Sequence, residues 1–322
     1  GACEAGGLLV DAGLLVLSGP QLSSFECYAG QACTVSPLQG EALSDGSRLL
    51  VAPRGAECGG SEAVGVEGVP GGGMSRGADL VGKRFAWGDA PLVAPGGVYS
   101  TCWCDIARSQ CGEPGDFDVP AGTLQLSGPL QNNSVTCLGG VPCVITGLLG
   151  VGMRAGDEIE VRAVCLQANG SEDNASGGNG SLSAAASPGF PGRAVLQEDG
   201  GAFEWPSAIE ASGGVYRLCW RPAGSVGDFG ADAGALVVLG PQGEHVRSAA
   251  ASLPLRVAVF EGAPGGDGVG SDTGDRVAVL RQCGGNASDV LTGAPGWDGV
   301  SQKLAPGGIE FSWGESFLSV AG

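Results

Sequence analysis

The stretch GGVYRLCW at residues 213–220 has a near copy, GGVYSTCWC, at residues 96–104. A weaker echo, GGIEFSW, lies at residues 307–313 and has Ser312 in place of the cysteine. The Gly-Gly pairs begin at residues 96, 213 and 307, so the copies are 117 and 94 residues apart. This spacing is too long for a solenoid and indicates repeated domains.

Other motifs recur in the same order around these copies. Ala-Gly strands that end in Gly-Pro lie at residues 12–20, 121–129 and 233–241, and FLSVAG at residues 317–322 matches the lead-in to a fourth. Cysteine pairs of the form C-x2-G-x2-C lie at residues 27–33 and 137–143, and Gly-Asp strands that end in cysteine lie at residues 156–165 and 274–283. A tryptophan follows in each copy: Trp87, Trp205 and Trp297.

Short apolar or alternating runs between glycines and prolines, such as TLQLSG and IEVRAV, are typical of β-strands. With 62 glycines in 322 residues, helices are disfavoured. About seven short strands per hundred residues predict an all-β chain of tandem immunoglobulin-like sandwiches, with compact barrels as the alternative. The predicted domains are residues 1–97, 98–214 and 215–322, the outer two incomplete.

Composition points to a secreted or cell-surface protein. Twelve cysteines indicate an oxidising compartment, and the net charge of −18 argues against nucleic acid and anionic membranes as partners. No apolar run is long enough for a membrane helix, and no leader peptide is recognised. Five Asn-x-Ser sequons predict glycosylation at Asn132, Asn169, Asn174, Asn179 and Asn286. Residues 169–192 predict an exposed, glycan-bearing loop.

Comparison of the copies suggests how the cysteines pair. The third copy keeps only Cys219 and Cys283, so losses in pairs predict the bridges Cys102–Cys165 and Cys219–Cys283. The same reasoning predicts three short bridges: Cys27–Cys33, Cys137–Cys143 and Cys104–Cys111. Cys3 and Cys58 then remain, and either pair with each other or have partners before residue 1.

Both ends of the chain fall near an Ala-Gly strand. The chain is then either a segment of a longer repeat protein, or it assembles head to tail, with residues 307–322 completing the N-terminal unit of the next copy.

Signals for catalysis are weak, and we expect no enzyme. The one histidine, His245, suits a solvated turn, and the cysteine pairs suit disulfides better than zinc. Two carboxylate pairs, Asp116 with Asp118 and Asp157 with Glu158, are common on acidic surfaces. We expect the repeated tryptophans, Tyr99 and Tyr216 to pack in cores rather than bind sugars. Calcium is the one cation with a candidate site: Asp267, Asp272 and Asp275 in a glycine-rich loop.

The unit GG-x-Y-x-L-C-W-C followed by Phe, Ala-Gly and Gly-Pro resembles cysteine-rich repeats of large secreted proteins of algae and other protists, such as mastigoneme (flagellar hair) and surface-filament glycoproteins. Residues 216–220, YRLCW, are its most specific part, whereas Arg221 and Ser312 depart from it. The resemblance implies a structural glycoprotein of an extracellular filament, flagellar hair or cell coat, with copies of itself as partners. A calcium- or carbohydrate-dependent adhesion module is the alternative.

Overall fold

A computed structural model describes residues 13–15, 17–80, 83–165, 186–198, 201–241, 256–258, 276–279, 299–302 and 310–314. The regular secondary structure of these residues is almost entirely β-strand, with two short 3-10 turns at Pro70–Gly73 and Pro114–Asp116. The chain divides into two compact units, Gly1–Ser127 and Gly128–Gly322. The predicted all-β class with disulfides is confirmed.

The first unit contains a principal sheet with the strand order β5-β7-β8-β2 and two short two-stranded sheets, β1-β4 and β3-β6. Its strands are β1 (Gly19–Pro20), β2 (Ser23–Tyr28), β3 (Thr34–Val35), β4 (Gly40–Glu41), β5 (Arg48–Ala52), β6 (Phe85–Ala86), β7 (Gly97–Cys104) and β8 (Val119–Pro129). The last two residues of β8 lie beyond the unit boundary.

The second unit repeats this pattern. Its strands are β9 (Ser134–Leu138), β10 (Cys143–Thr146), β11 (Gly150–Val151), β12 (Glu158–Arg162), β13 (Ala194–Leu196), β14 (Ala202–Trp205), β15 (Gly214–Arg221), β16 (Ala231–Leu239), β17 (Arg256–Ala258) and β18 (Glu310–Ser312). Strands β12, β15, β16 and β9 pair like β5, β7, β8 and β2, and β10 pairs with β14 as β3 pairs with β6. Strand β13 joins β12 to β14, so the sheet has seven strands.

In both units an early strand pairs in parallel with the Ala-Gly strand that ends the repeat. Strand β2 pairs with β8 over six residues, and β9 pairs with β16 over five. All the other described pairings are antiparallel. In the first unit β3-β6 forms a separate small sheet, whereas in the second unit β10-β14 is joined to the main sheet through β13. This arrangement is immunoglobulin-like.

The Ala-Gly motif forms a β-bulge that admits the parallel strand. The register between β7 and β8 shifts at Thr101/Cys102, and that between β15 and β16 shifts at Leu218/Cys219. Gly122 has φ +122°, and a Cβ there would lie 1.8 Å from the Ser23 carbonyl oxygen. Gly234 has φ +107°, and a Cβ there would lie 2.2 Å from the carbonyl oxygen of residue 133. Only glycine permits this approach.

The predicted domain boundaries at residues 97 and 214 fall inside sheets. Strand β7, which begins at Gly97, pairs along its length with β5 and β8, and β15 pairs with β12 and β16. The Gly-Gly strand therefore belongs with the residues that precede it, and a repeat ends at its Ala-Gly strand. The predicted boundaries at residues 97 and 214 therefore lie two strands too early in the repeat.

The echo GGIEFSW is not a third Gly-Gly strand. Strand β18 pairs Phe311 with Val257, as β6 pairs Phe85 with Val35 and β14 pairs Phe203 with Ile145. The Trp313 indole N–H donates to the Gly299 carbonyl at 3.1 Å, as that of Trp87 donates to Gly73 at 2.8 Å. Residues 310–313 are therefore the Phe-x-Trp strand of the third copy, and Trp313, rather than Trp297, is the counterpart of Trp87.

Residues 310–313 already pair within the chain, so they are not a free strand that completes the N-terminal unit of the next copy. The sequence after Trp313, GESFLSVAG, matches GDAPLVAPG after Trp87, not the lead-in to an Ala-Gly strand. Residues 315–322 and Trp297 lie outside the described residues.

Candidate functional site

Two long disulfide bridges close the units, and each lies within one unit. Cys58 bonds Cys102 across 44 residues, and Cys165 bonds Cys219 across 54 residues. Each bridge joins the Gly-Gly strand to the segment that follows its neighbour, β5 or β12. The cysteine of the Gly-Gly strand thus pairs backwards along the chain rather than forwards.

The predicted Cys102–Cys165 bridge is therefore wrong, and so is the alternative in which Cys58 pairs with Cys3. The Cys219–Cys283 bridge is also wrong, because Cys219 is already bonded to Cys165. The cysteines that the third copy keeps are consistent with a bridge from the Gly-Gly strand to an earlier cysteine and equally with a bridge to a later one. The comparison of copies therefore could not distinguish the two pairings. Strand order decides, because β7 and β5 are hydrogen-bonded neighbours.

Three short bridges fix loops within the units: Cys27–Cys33, Cys104–Cys111 and Cys137–Cys143. They are the pairs that comparison of the copies predicts. Cys3 and Cys283 lie outside the described residues.

A tyrosine corner precedes the bridged cysteine in each unit. The Tyr99 hydroxyl donates to the Pro95 carbonyl at 2.6 Å, and the Tyr216 hydroxyl donates to the Ser212 carbonyl at 2.7 Å. Burial raises the pKa of both phenols, so they remain donors at neutral pH. This feature is typical of immunoglobulin-like sandwiches.

The repeated tryptophans pack in the cores, as predicted. Trp103, Trp205 and Trp220 are at most 1% exposed, and Trp87 and Trp313 are at most 5% exposed. The Trp205 indole N–H donates to the Gly192 carbonyl at 2.9 Å, so its edge is held by the same type of contact as Trp87. Rings held in this way offer no open face for stacking on a sugar.

The core around the phenylalanine before each Ala-Gly strand differs between the units. In the first unit Phe117 packs with Leu50, Ala52 and Cys104, all buried. In the second unit the corresponding phenylalanine is Phe229, and the corresponding strand positions hold Glu160, Arg162 and Arg221. A disulfide-lined apolar core is thus replaced by a charged one.

Two guanidinium groups face the Phe229 ring. The Arg221 guanidinium carbon lies 4.5 Å from the ring centroid, and that of Arg162 lies 4.9 Å from it. Arg162 forms ion pairs with Glu160 at 2.6 Å and Asp228 at 2.7 Å. Arg221 pairs with Glu158, which also contacts Arg193 at 3.1 Å. Paired charges around an aromatic ring stabilise a buried arginine, so we assign this cluster a structural role.

Two acidic groups near this cluster have shifted pKa values in opposite directions. Burial raises the pKa of Asp157, although its carboxylate accepts backbone N–H groups of Arg154 and Ala223, both at 2.9 Å. The hydrogen bond from Arg162 lowers the pKa of Asp228. Asp157 occupies the position of Ser47 in the first unit, which is also fully buried.

The first unit contains a cleft of about 370 Å³ lined by Arg48, Gly71, Met74, Ser75, Arg76 and Trp87. Sequence patterns did not indicate it, because its residues come from three separated segments. Arg48 lies at the start of β5, Arg76 follows the Pro70–Gly73 turn, and Trp87 follows β6. The Arg48 Nε atom is buried and has no hydrogen-bond partner among the described residues.

The two members of each predicted carboxylate pair have different partners. Asp116 accepts the Gly112 and Glu113 backbone N–H groups, at 2.9 and 3.1 Å, whereas Asp118 forms an ion pair with Arg108 at 3.2 Å. Asp157 is buried and Glu158 is bound to arginines. All four carboxylates thus have local structural partners.

The remaining predicted sites are only partly described. Asn132 is exposed in the turn before β9, where an oligosaccharide could be attached. Within the described residues, no three metal-binding side chains come together, and no helix is long and apolar enough to span a membrane. The other predicted sites lie outside the described residues: Asn169, Asn174, Asn179, Asn286, Asp267, Asp272, Asp275 and His245.

Comparison with known proteins supports a cysteine-rich repeat protein. No protein-family model matches the chain. The chain is 25% identical over 256 residues to "Cysteine repeat modular protein B" of Toxoplasma gondii, an alignment that covers 68% of this chain and 3% of that protein. The chain thus spans a small fraction of that relative's length. The similarity agrees with the coarser part of the resemblance, to cysteine-rich repeats of protists; nothing in it points to mastigonemes.

Solved structures with remote similarity are assemblies of β-sandwich modules. They include fibronectin(III)-like modules of Clostridium thermocellum CbhA (10% identity, 73% of this chain and 100% of that chain, TM-score 0.19). They also include Sidekick-1 immunoglobulin domains 1–4 (10% identity, 75% of this chain and 57% of that chain, TM-score 0.17). These scores are low, and the fold assignment rests on the strand pairings above.

Proposed function

We propose that this chain is a structural segment of a secreted or cell-surface glycoprotein, and that its repeats resist tension in an extracellular filament, flagellar hair or cell coat. Five described disulfides suit an oxidising compartment. The groups that recur between the units are packing groups: the bridged cysteine, the tryptophans and the tyrosine corner.

The observation that carries this proposal is the parallel pairing of the early and last strands. Force applied to the two ends of a repeat pulls β2 and β8 in opposite directions along their common axis. The same holds for β9 and β16. All the hydrogen bonds between such strands are loaded together in shear, whereas an antiparallel hairpin opens one bond at a time. The geometry therefore suits a module that must carry load without unfolding.

The long bridges limit how far a repeat extends once its sheet yields. Cys58–Cys102 encloses 44 residues, and Cys165–Cys219 encloses 54 residues. At roughly 3.5 Å per extended residue, these loops withhold about 15 and 19 nm of chain from the applied force. A bridged module thus fails by a short, defined step.

Single-molecule force spectroscopy tests the proposal, with the chain tethered by its two ends. In a parallel pair with Ala235 opposite Ser134, the Val135 N–H donates to the Ala235 carbonyl. Val135→Pro removes this bond, whereas Val195→Pro removes one from β13, which is not paired with a terminal strand. We expect Val135→Pro alone to lower the unfolding force of one event markedly.

The extension steps provide a second readout. Reduction of the disulfides is expected to lengthen the two main steps by about 15 and 19 nm. Equal unfolding forces for Val135→Pro and Val195→Pro, or unfolding at forces no higher than those of a hairpin, would contradict a tensile role.

Assembly with copies of itself is a separate part of the proposal. Electron microscopy of the natively purified protein is expected to show regular filaments or fibrous coats. Dispersed particles at high concentration would refute self-assembly, although the proposal that each repeat resists tension would still stand.

A further inference from the structure

The cleft of the first unit combines cationic side chains with an apolar wall. Arg48 and Arg76 lie on its lining together with Met74 and Trp87. The Trp87 indole N–H is already bound to the Gly73 carbonyl at 2.8 Å. The two guanidinium groups are therefore the main hydrogen-bond donors that the lining side chains offer to a ligand.

Neither arginine is neutralised within the described residues. The ion pairs of the first unit there are Arg84 with Asp79 and Arg108 with Asp118. Arg48 donates a long hydrogen bond of 3.4 Å to the Cys111 carbonyl, and its buried Nε has no partner. Acidic residues outnumber basic ones by 34 to 16 in this chain. Two arginines that line one cleft without a carboxylate partner are therefore unusual for its composition.

The equivalent positions in the other copies have lost this charge. Glu158 replaces Arg48 in the second unit and pairs with Arg193 and Arg221. In the third copy, Ser301 and Gln302 repeat the hydrogen bonds of Ser75 and Arg76, so Gln302 is the counterpart of Arg76. The positions tolerate neutral or acidic residues, so folding does not require the two arginines.

We infer that this cleft binds an oxyanion, a carboxylate or sulfate group carried on a sugar-sized molecule. A guanidinium group binds such a group through two parallel N–H donors. The cleft volume of about 370 Å³ falls in the range of small-molecule sites and exceeds what one inorganic ion occupies. Met74 supplies apolar surface for the uncharged part of the ligand.

The Arg76 guanidinium group lies beside Gly88, the residue that follows Trp87. Gly88 has φ +92°, and a Cβ at this position would lie 2.9 Å from an Nη atom of Arg76. A side chain at residue 88 would therefore displace the Arg76 guanidinium group.

Isothermal titration calorimetry on the whole chain tests the inference with three probes at constant ionic strength: sodium sulfate, glucuronic acid and a 6-sulfated hexose, with glucose as the neutral control. We expect one saturable site with a millimolar or lower Kd for an anionic probe and no binding of glucose. Tighter binding of the acidic sugars than of sulfate identifies a glycan group as the ligand. Equal binding identifies the free oxyanion, and both results support the site.

Two arginine variants provide the matched comparison. Arg76→Gln places the residue of the third copy in the cleft, whereas Arg54→Gln makes the same charge change at an exposed arginine outside the lining. Arg76→Gln is expected to weaken binding about tenfold or more, and Arg54→Gln less than about twofold. Absence of saturable binding by every anionic probe, or equal weakening by both variants, would overturn the inference.

Discussion

Removal of the Cys165–Cys219 bridge should destabilise only the second unit, by an amount set by the loop that it closes. The bridge spans 54 residues. The chain-entropy relation gives about 4 kcal/mol for such a loop. For a unit of this size, Gly128–Gly322, that corresponds to a fall in Tm of about 8–16 °C. Scanning calorimetry of Cys165→Ala/Cys219→Ala should show one transition shifted by this amount and the other unchanged.

A short bridge in the same unit is the control. Cys137–Cys143 spans six residues, for which the same relation gives about 2 kcal/mol. Cys137→Ala/Cys143→Ala should therefore shift the same transition by about half as much. Comparable shifts for the two double variants would show that loop length does not govern the effect.

A thiol assay distinguishes the pairing itself. If Cys165 and Cys219 bond each other, their joint replacement exposes no thiol beyond those of the parent protein. If they bonded Cys102 and Cys283 instead, two new thiols would titrate in the denatured variant. A gain of two thiols, or a shift of both calorimetric transitions, would refute bridges that are closed within one unit.

Two further predictions compare positions of differing burial and charge. Leu17 and Leu126 occupy the same place in two Ala-Gly strands, yet Leu17 is 79% exposed and Leu126 is fully buried. In urea titrations, Leu126→Ala should lower the free energy of unfolding by about 2–5 kcal/mol, and Leu17→Ala by less than about 0.5 kcal/mol. Because the pKa of Asp157 is raised, the native state holds the Asp157 proton to higher pH than the unfolded state does. The protonated carboxyl therefore adds to the free energy of unfolding below pH 3.8, and this contribution is lost as the pH rises through the raised pKa. Asp157→Ser should abolish this pH dependence of the free energy of unfolding. The lowered pKa of Asp228 acts in the opposite direction: its carboxylate stabilises the native state above pH 3.8, and this contribution is lost as the pH falls through the lowered pKa. Asp228→Asn should abolish this pH dependence of the free energy of unfolding. If either variant unfolds with the same pH dependence as the parent protein, the corresponding pKa shift is contradicted.

Repetition and local pattern made the class of fold predictable. The Gly-Gly and Ala-Gly strands are consecutive in each copy and pair with each other, so their recurrence implied repeated sheet units. The three short bridges close loops of six or seven residues, so their pairing depended only on neighbouring residues. The burial of the tryptophans followed from their recurrence beside core strands.

The starting point of the repeat could not be read from the order of motifs. A cyclic sequence of motifs looks the same from any starting motif, and the early strand that closes each unit, β2 or β9, pairs with a strand about a hundred residues later. The echo at residues 307–313 shared Gly-Gly and tryptophan with the Gly-Gly strand, but Phe311 packs as Phe85 and Phe203 do. Long-range pairing, not local composition, distinguishes the two strands.

The sequence holds one indication of the charged core of the second unit. Where the first unit has Cys104, the second has Arg221, and the loop that follows is shorter by five residues before the phenylalanine. That loop holds no counterpart of Cys111, so no bridge can form there. The arginines stack on Phe229 instead, which becomes evident only when the strands are placed side by side.

Tryptic mapping of the unreduced protein tests most directly whether each repeat is closed on itself. Cleavage after arginine and lysine places Cys58 in residues 55–76, Cys102 in residues 85–108, Cys165 in residues 163–193 and Cys219 in residues 218–247. We predict mass spectra in which the peptide 55–76 is linked to 85–108, and 163–193 is linked to 218–247. A direct link between 85–108 and 163–193 would contradict the account, because the bridge would then tie neighbouring repeats together instead of closing each one.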